Sequence, residues 1–147
     1  MISLHSSEFL ETNIKDLLIP ADKVAHVQIG NSLEHALLVL TKSGYTAVPV
    51  LDPMYRLHGL ISSTMIFDAI LGLERIEFEQ LENMKVEDVM NSDIPRLYVR
   101  DSLTKGLNLV VNHPFVCVQN DDETLEGIFT RRAILKQLNR HVHKLNK

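Results

Sequence analysis

Apolar and polar positions alternate along this chain in two patterns, and both patterns occur twice. Leu33, Ala36, Leu37 and Leu40 have the i, i+3, i+4, i+7 spacing of one helical face, and Leu103, Gly106, Leu107 and Val110 repeat it 70 residues later. Asn31-Ser32 and Asp101-Ser102 precede these runs, where a short polar side chain can cap the first free N–H groups of a helix. The apolar runs Val48-Pro49-Val50-Leu51 and Val116-Cys117-Val118 predict strands. So do Gly59-Leu60-Ile61-Ser62 and Gly127-Ile128-Phe129-Thr130, at an offset of 68. Within each pair of strands, Asp52-Pro53-Met54-Tyr55-Arg56 and Asn120-Asp121-Asp122-Glu123-Thr124 supply turn residues. Upstream, Ile14-Lys15-Asp16-Leu17-Leu18 matches Val86-Glu87-Asp88-Val89-Met90 at an offset of 72, so small loop deletions separate the two copies. Each copy therefore reads as a short helix, a strand near Val24 to Ile29 or Ile94 to Val99, a helix, two strands and a closing helix. The fold class is α/β, with two tandem β-α-β-β-α repeats over residues 10–72 and 86–141. Residues 73–85 form a solvated helical connector, rich in acids beside Leu73, Ile76, Phe78, Leu81 and Met84.

Composition narrows the classes of function. A chain of 147 residues with 45% apolar content builds a core of single-domain size. With 15 Lys+Arg against 19 Asp+Glu, it carries no global basic field to hold nucleic acid. No stretch reaches the roughly 20 apolar residues of a membrane span, and the N-terminus has no signal-peptide pattern, so a soluble cytoplasmic protein is expected. The sole cysteine, Cys117, sits in an apolar run and is expected to be buried and inert. Catalysis finds no footing: there is no nucleophile and base arrangement and no glycine-rich phosphate loop. Of seven histidines only His141 and His143 are close, and an i, i+2 pair on a helix points to different sides, so no metal site is expected.

The segments Thr46-Ala47-Val48-Pro49-Val50-Leu51-Asp52, His58-Gly59-Leu60-Ile61-Ser62 and Gly127-Ile128-Phe129-Thr130 resemble the CBS-domain pair, or Bateman module, over roughly residues 10 to 140. That resemblance implies two repeats packed about a pseudo-twofold axis, two equivalent clefts for adenosine ligands, and a homodimer of such pairs. With no further domain attached, the chain is also similar to the stand-alone bacterial CBS proteins of the DarB/CbpB type. These bind cyclic di-AMP, and their resemblance implies a ligand-free form that contacts partner enzymes, the alarmone synthetase/hydrolase among them.

Carrying the family's cleft positions onto this chain gives a first cleft of Lys23, Ala25, Tyr45, Thr46 and Ala47 with Thr130, Arg131 and Arg132. The two arginines and the lysine suit phosphate oxygens, Ala25 and Ala47 leave room for a flat base, Thr46 offers polar groups to its edge, and Tyr45 stacks on the base or fills the rim. The second cleft receives Asp93, Pro95, Pro114 and Phe115 with Ser63 and Thr64. An anion and two prolines there disfavour a nucleotide, so one occupied cleft per chain is expected. Family members that hold AMP or ATP commonly carry an aspartate three residues after the last Ser or Thr, to grip the ribose diol. Here those positions hold Met65 and Ala133. A 3′,5′-linked cyclic dinucleotide has no such diol, and a carboxylate would repel its phosphodiesters, so the resemblance points to a cyclic di-AMP-binding regulator. The alternatives are an AMP/ADP/ATP-sensing module and a ligand-free structural interaction domain.

Overall fold

The computed structural model describes residues 11–145. In chain order it comprises α1 (Ile14–Leu17), β1 (Ile19–Pro20), a 3-10 turn (Ala21–Lys23), β2 (Val27–Gln28), α2 (Leu33–Ser43), β3 (Ala47–Leu51) and β4 (Leu57–Ser62). There follow α3 (Ser63–Ile70), α4 (Gln80–Asn83), a 3-10 turn (Val86–Asp88), β5 (Arg96–Tyr98), α5 (Leu103–Val110), β6 (Phe115–Gln119), β7 (Leu125–Thr130) and α6 (Arg131–Leu145). The repeated β-α-β-β-α order is as the sequence predicts, although the first strand of each copy is shorter than the apolar run that announces it.

The chain divides into two compact units that exchange the beginnings of the repeats. The first unit takes residues 11–23, Pro95–Asp121 and 126–145; the second takes Val24–Ile94 and Asp122–Leu125. In the first, the sheet order is β1-β7-β6-β5, with β5 parallel to β6 and β1 antiparallel to β7. In the second, the order is β2-β3-β4, with β2 parallel to β3 and β3 antiparallel to β4. An isolated bridge from Leu60 to Asn91 adds the start of the second repeat to that sheet. The helical spacing buries its intended face in both units: Leu33, Ala36 and Leu40 pack with Val48, Val50, Ile61 and Ile66, and Leu103 and Val110 pack with Ile14, Leu97, Val116 and Phe129. Ser32 and Ser102 cap α2 and α5, accepting from the N–H of His35 at 3.1 Å and of Lys105 at 3.2 Å.

Both exchanged segments arrive on a glycine. A Cβ on Gly127 would stand 2.2 Å from the Ile19 carbonyl oxygen, and one on Gly59 would stand 2.5 Å from that of Asn91. These glycines hold equivalent places in the repeats, so the motif glycine serves backbone approach in both. The hairpin turn after β3 is held by Asp52, whose carboxylate accepts from the N–H groups of Met54 (2.9 Å) and Arg56 (3.0 Å), from Arg56 Nε (2.9 Å) and from His58 Nε2 (2.9 Å). His58 first, then Arg56 and Met54, hold this carboxyl well below the usual carboxylate range, against the opposing effect of burial.

The connector is less helical than its composition suggests. Leu71 bridges to Ile76, the Gly72 N–H bonds to the Arg75 carbonyl at 2.8 Å, and the Glu77 N–H returns to the Ile70 carbonyl at 2.7 Å. This closed turn takes up the donors a longer helix would need, and helix is confined to Gln80–Asn83, from which Leu81 packs against the second unit's core.

Two consequences are measurable. Gly127→Ala or Gly59→Ala forces rigid backbone apart and should destabilise by about 1–3 kcal/mol in denaturant unfolding. Because the Asp52 carboxyl is depressed in the folded state, its contribution is full above its ordinary value of 3.8 and is lost as pH falls below it. Asp52→Asn should therefore flatten the acid limb of the stability–pH curve, and an unchanged limb would assign acid lability elsewhere.

Candidate functional site

The eight residues that the sequence assigns to the first cleft divide equally between the units. Thr130, Arg131 and Arg132 stand at the junction of β7 and α6 in the first unit, which also holds Lys23 at the end of its 3-10 turn. Ala25 and the run Tyr45, Thr46 and Ala47 lie in the second. The antiparallel register of β1 and β7 sets Ile19 opposite Ile128 and Pro20 opposite Gly127. Beyond Pro20 the chain leaves the sheet through the 3-10 turn that ends at Lys23, while Arg131 and Arg132 follow the end of β7.

At the β7–α6 junction each residue has a distinct task. The Thr130 hydroxyl caps α6, accepting from the Ala133 N–H at 2.9 Å. Arg131 is largely committed: its Nε donates to the Val110 carbonyl at 2.8 Å and its Nη2 to that of Val111 at 3.4 Å, while its backbone N–H bonds to the Pro114 carbonyl at 2.9 Å. A cation on the last carbonyls of α5 complements the negative end of that helix. Arg132 is exposed and, among the described residues, has no hydrogen-bond or ion-pair partner. It lies in the first turn of a 15-residue helix, where the dipole also favours an anion. The two arginines line a groove of about 480 Å³ with Pro114, Leu135, Lys136 and Asn139. Lys136, missed from the sequence, is legible as the i+4 neighbour of Arg132. Lys23 is exposed and likewise unpaired among the described residues.

In the second unit Thr46 is exposed, and its carbonyl accepts from the Ser63 N–H at 3.3 Å, the counterpart of the Pro114 to Arg131 bond. Ala47 is half-buried at the head of β3. Tyr45 packs partly on the core, which favours a rim-filling role for its ring. Ala25 lines a separate groove of about 480 Å³ with His35, Leu38, Val39, Lys42 and Ser43.

The residues read as unfavourable to nucleotide have ordinary local tasks. Asp93 is exposed, with its N–H on the Asn91 side chain at 3.1 Å. Ser63 and Thr64 open α3, whose cap is Ser62, accepting from Met65 at 3.1 Å, and no cation stands in that first turn. Thus the two positions without a ribose aspartate, Met65 and Ala133, both give their N–H to the capping hydroxyl. Pro95 and Phe115 are half-buried.

Burial pushes the Cys117 thiol up to about 12, with Arg96 acting weakly in the other direction. Cys117 should therefore react with a thiol reagent only as fast as the protein unfolds; rapid labelling of the native protein would contradict its burial. Among the described residues no three His, Cys, Asp or Glu side chains gather where they could hold a metal ion, and no helix is long and apolar enough to cross a membrane. His5 lies outside the described residues.

Comparison with known proteins places this geometry. The CBS domain matches residues 14–72 and 86–140. Over 147 residues the chain is 62% identical to cyclic di-AMP receptor B of Bacillus subtilis (strain 168), covering 100% of both. The Listeria monocytogenes CbpB protein in complex with c-di-AMP is 58% identical, with a TM-score of 0.83 over 88% of this chain and 97% of that one. A CBS domain-containing protein from Bacillus anthracis is 65% identical, with a TM-score of 0.85 over 92% and 98%. With both repeats matched and a relative aligned from end to end, the chain belongs to the CBS domain family.

Proposed function

We propose that this chain is a cytoplasmic, homodimeric regulator that binds cyclic di-AMP and controls a partner enzyme through ligand-dependent protein–protein contact, without chemistry of its own. The observation that carries the reading is Arg132: an exposed, uncommitted guanidinium in the first turn of α6, with no acid at Ala133 beside it. A full-length relative named for this ligand and a solved relative in complex with it support the same reading.

In this account Arg132 and Lys23 face the phosphodiesters, and Arg131 adds its remaining Nη1 edge while holding the junction in shape. Thr130 fixes the start of α6. Ala25 and Ala47 leave space for adenine, Thr46 meets its edge, and Tyr45 closes the rim. The absent aspartates remove a diol-gripping carboxylate and the repulsion it would exert on a phosphodiester. For regulation, the ligand must bind more tightly to one state of the protein than to the other, because equal affinity shifts nothing.

The two arginines separate binding from folding. Arg132→Met should weaken cyclic di-AMP binding at least tenfold, about 1.4 kcal/mol, with the Tm of the free protein unchanged. Arg131→Met should lower that Tm, because the Val110 and Val111 carbonyls lose their donor. If Arg132→Met left the affinity intact, the phosphate contact would lie elsewhere. Capture of a partner enzyme from the ligand-free protein, and its release by cyclic di-AMP, tests the regulatory half.

A further inference from the structure

The connector presents apolar side chains outward from a turn that is closed on itself. Leu71, Leu73, Ile76 and Phe78 are all exposed, Leu73 completely, along one short stretch of chain. Single exposed apolar residues are ordinary, but a cluster of this size marks a surface that another molecule covers. The turn is also held in shape. Leu71 pairs with Ile76, the Gly72 N–H donates to the Arg75 carbonyl at 2.8 Å, and the Glu77 N–H donates to that of Ile70 at 2.7 Å.

Charge around these side chains has one sign. Residues 71–82 carry Glu74, Glu77, Glu79 and Glu82 against Arg75, and that arginine is taken up by Glu79 through both Nη1, at 3.1 Å, and Nη2. Glu74 and Glu82 are exposed and have no hydrogen-bond or ion-pair partner among the described residues. Such a surface repels nucleic acid and the anionic face of a membrane, and it draws a cationic partner. The Ile70 and Arg75 carbonyls and the Gly72 and Glu77 N–H groups are already used in closing the turn, so recognition falls to side chains and not to an added strand. Apolar side chains among carboxylates match an amphipathic helix whose apolar stripe is flanked by Lys or Arg.

We propose that the turn from Leu71 to Glu82 is a docking surface for a basic amphipathic helix of the partner enzyme. This deepens the regulatory reading and rests on it for the existence of a partner. The surface lies apart from the residues of the same unit that are assigned to ligand. The Ser63 N–H that opens α3 bonds to the Thr46 carbonyl, whereas the turn begins where α3 ends, about 12 Å of helix away. Ligand at Thr46 and Ala47 does not occupy this surface, so partner and ligand are not forced to compete for it.

The probe is a fluorescent peptide of about five helical turns, Leu on one face and Lys on the other, titrated with the full-length protein and followed by anisotropy. A Leu/Glu peptide of the same pattern is the control. The expected result is saturable binding of the Leu/Lys peptide and none of the control. Leu73→Ser with Phe78→Ser should weaken that binding at least tenfold, and so should Glu74→Lys with Glu82→Lys. The Tm of the free protein should stay unchanged in both, because all four side chains are exposed. Absence of binding, equal binding of the two peptides, or binding that either pair of substitutions leaves intact overturns the proposal. Light scattering of the Leu73→Ser, Phe78→Ser protein should give the mass of the unsubstituted one. A lower mass would mean that a second copy covers the turn, and it overturns the proposal as well. None of these readouts needs cyclic di-AMP or an identified enzyme, so this surface and the ligand reading can fail separately.

Discussion

Everything else in this molecule depends on a close backbone approach. Each sheet is extended by a segment that begins the other repeat, and at both joints the incoming carbonyl occupies the place where a side chain would start, over Gly127 and over Gly59. A Cβ at either position would push away β1 or the bridge at Asn91 and uncover the core beneath, where Ile14 and Val86 are fully buried. The same joint sets the candidate site residues of the first unit. One strand of the β1–β7 pair leads to Lys23 and the other to Thr130, Arg131 and Arg132.

How much of this was legible from the sequence follows from what periodicity encodes. The spacing of Leu33, Ala36 and Leu40 names a buried face, and a serine before it names a helix start; both hold in each repeat. Spacing does not say which sheet a segment joins. Residues 14–20 and 86–91 look like the openings of their own repeats, yet each packs with the other copy's strands. Gly106 is similar. It stands where the first repeat has Ala36, and a Cβ there would lie 2.8 Å from the ring of Phe129, which stands where the first repeat has Ile61. The larger ring and the smaller helix residue compensate, a pairing visible only once the strand is seen against the helix.

The candidate site was legible in residue type and less so in task. Arg131 and Arg132 read from the sequence as equivalent cations, but the close of α5 at Val110 and Val111 claims Arg131 and leaves Arg132 open. No local pattern signals this, since the two carbonyls lie about twenty residues upstream of the arginine. The connector shows the opposite failure. Its apolar and acidic residues suit a helix, but the tight return from Leu71 to Ile76 consumes the backbone groups.

The charge plan unites these parts. Cations concentrate on α6 in a chain whose net charge is -4, so an anionic ligand would be drawn to one helix. Calorimetric titration of the intact protein with cyclic di-AMP and, separately, with ATP distinguishes the two ligands. Saturable binding of cyclic di-AMP at one per chain, with weaker binding of ATP, is the expected result. Tighter binding of ATP, or no heat with cyclic di-AMP, would contradict it.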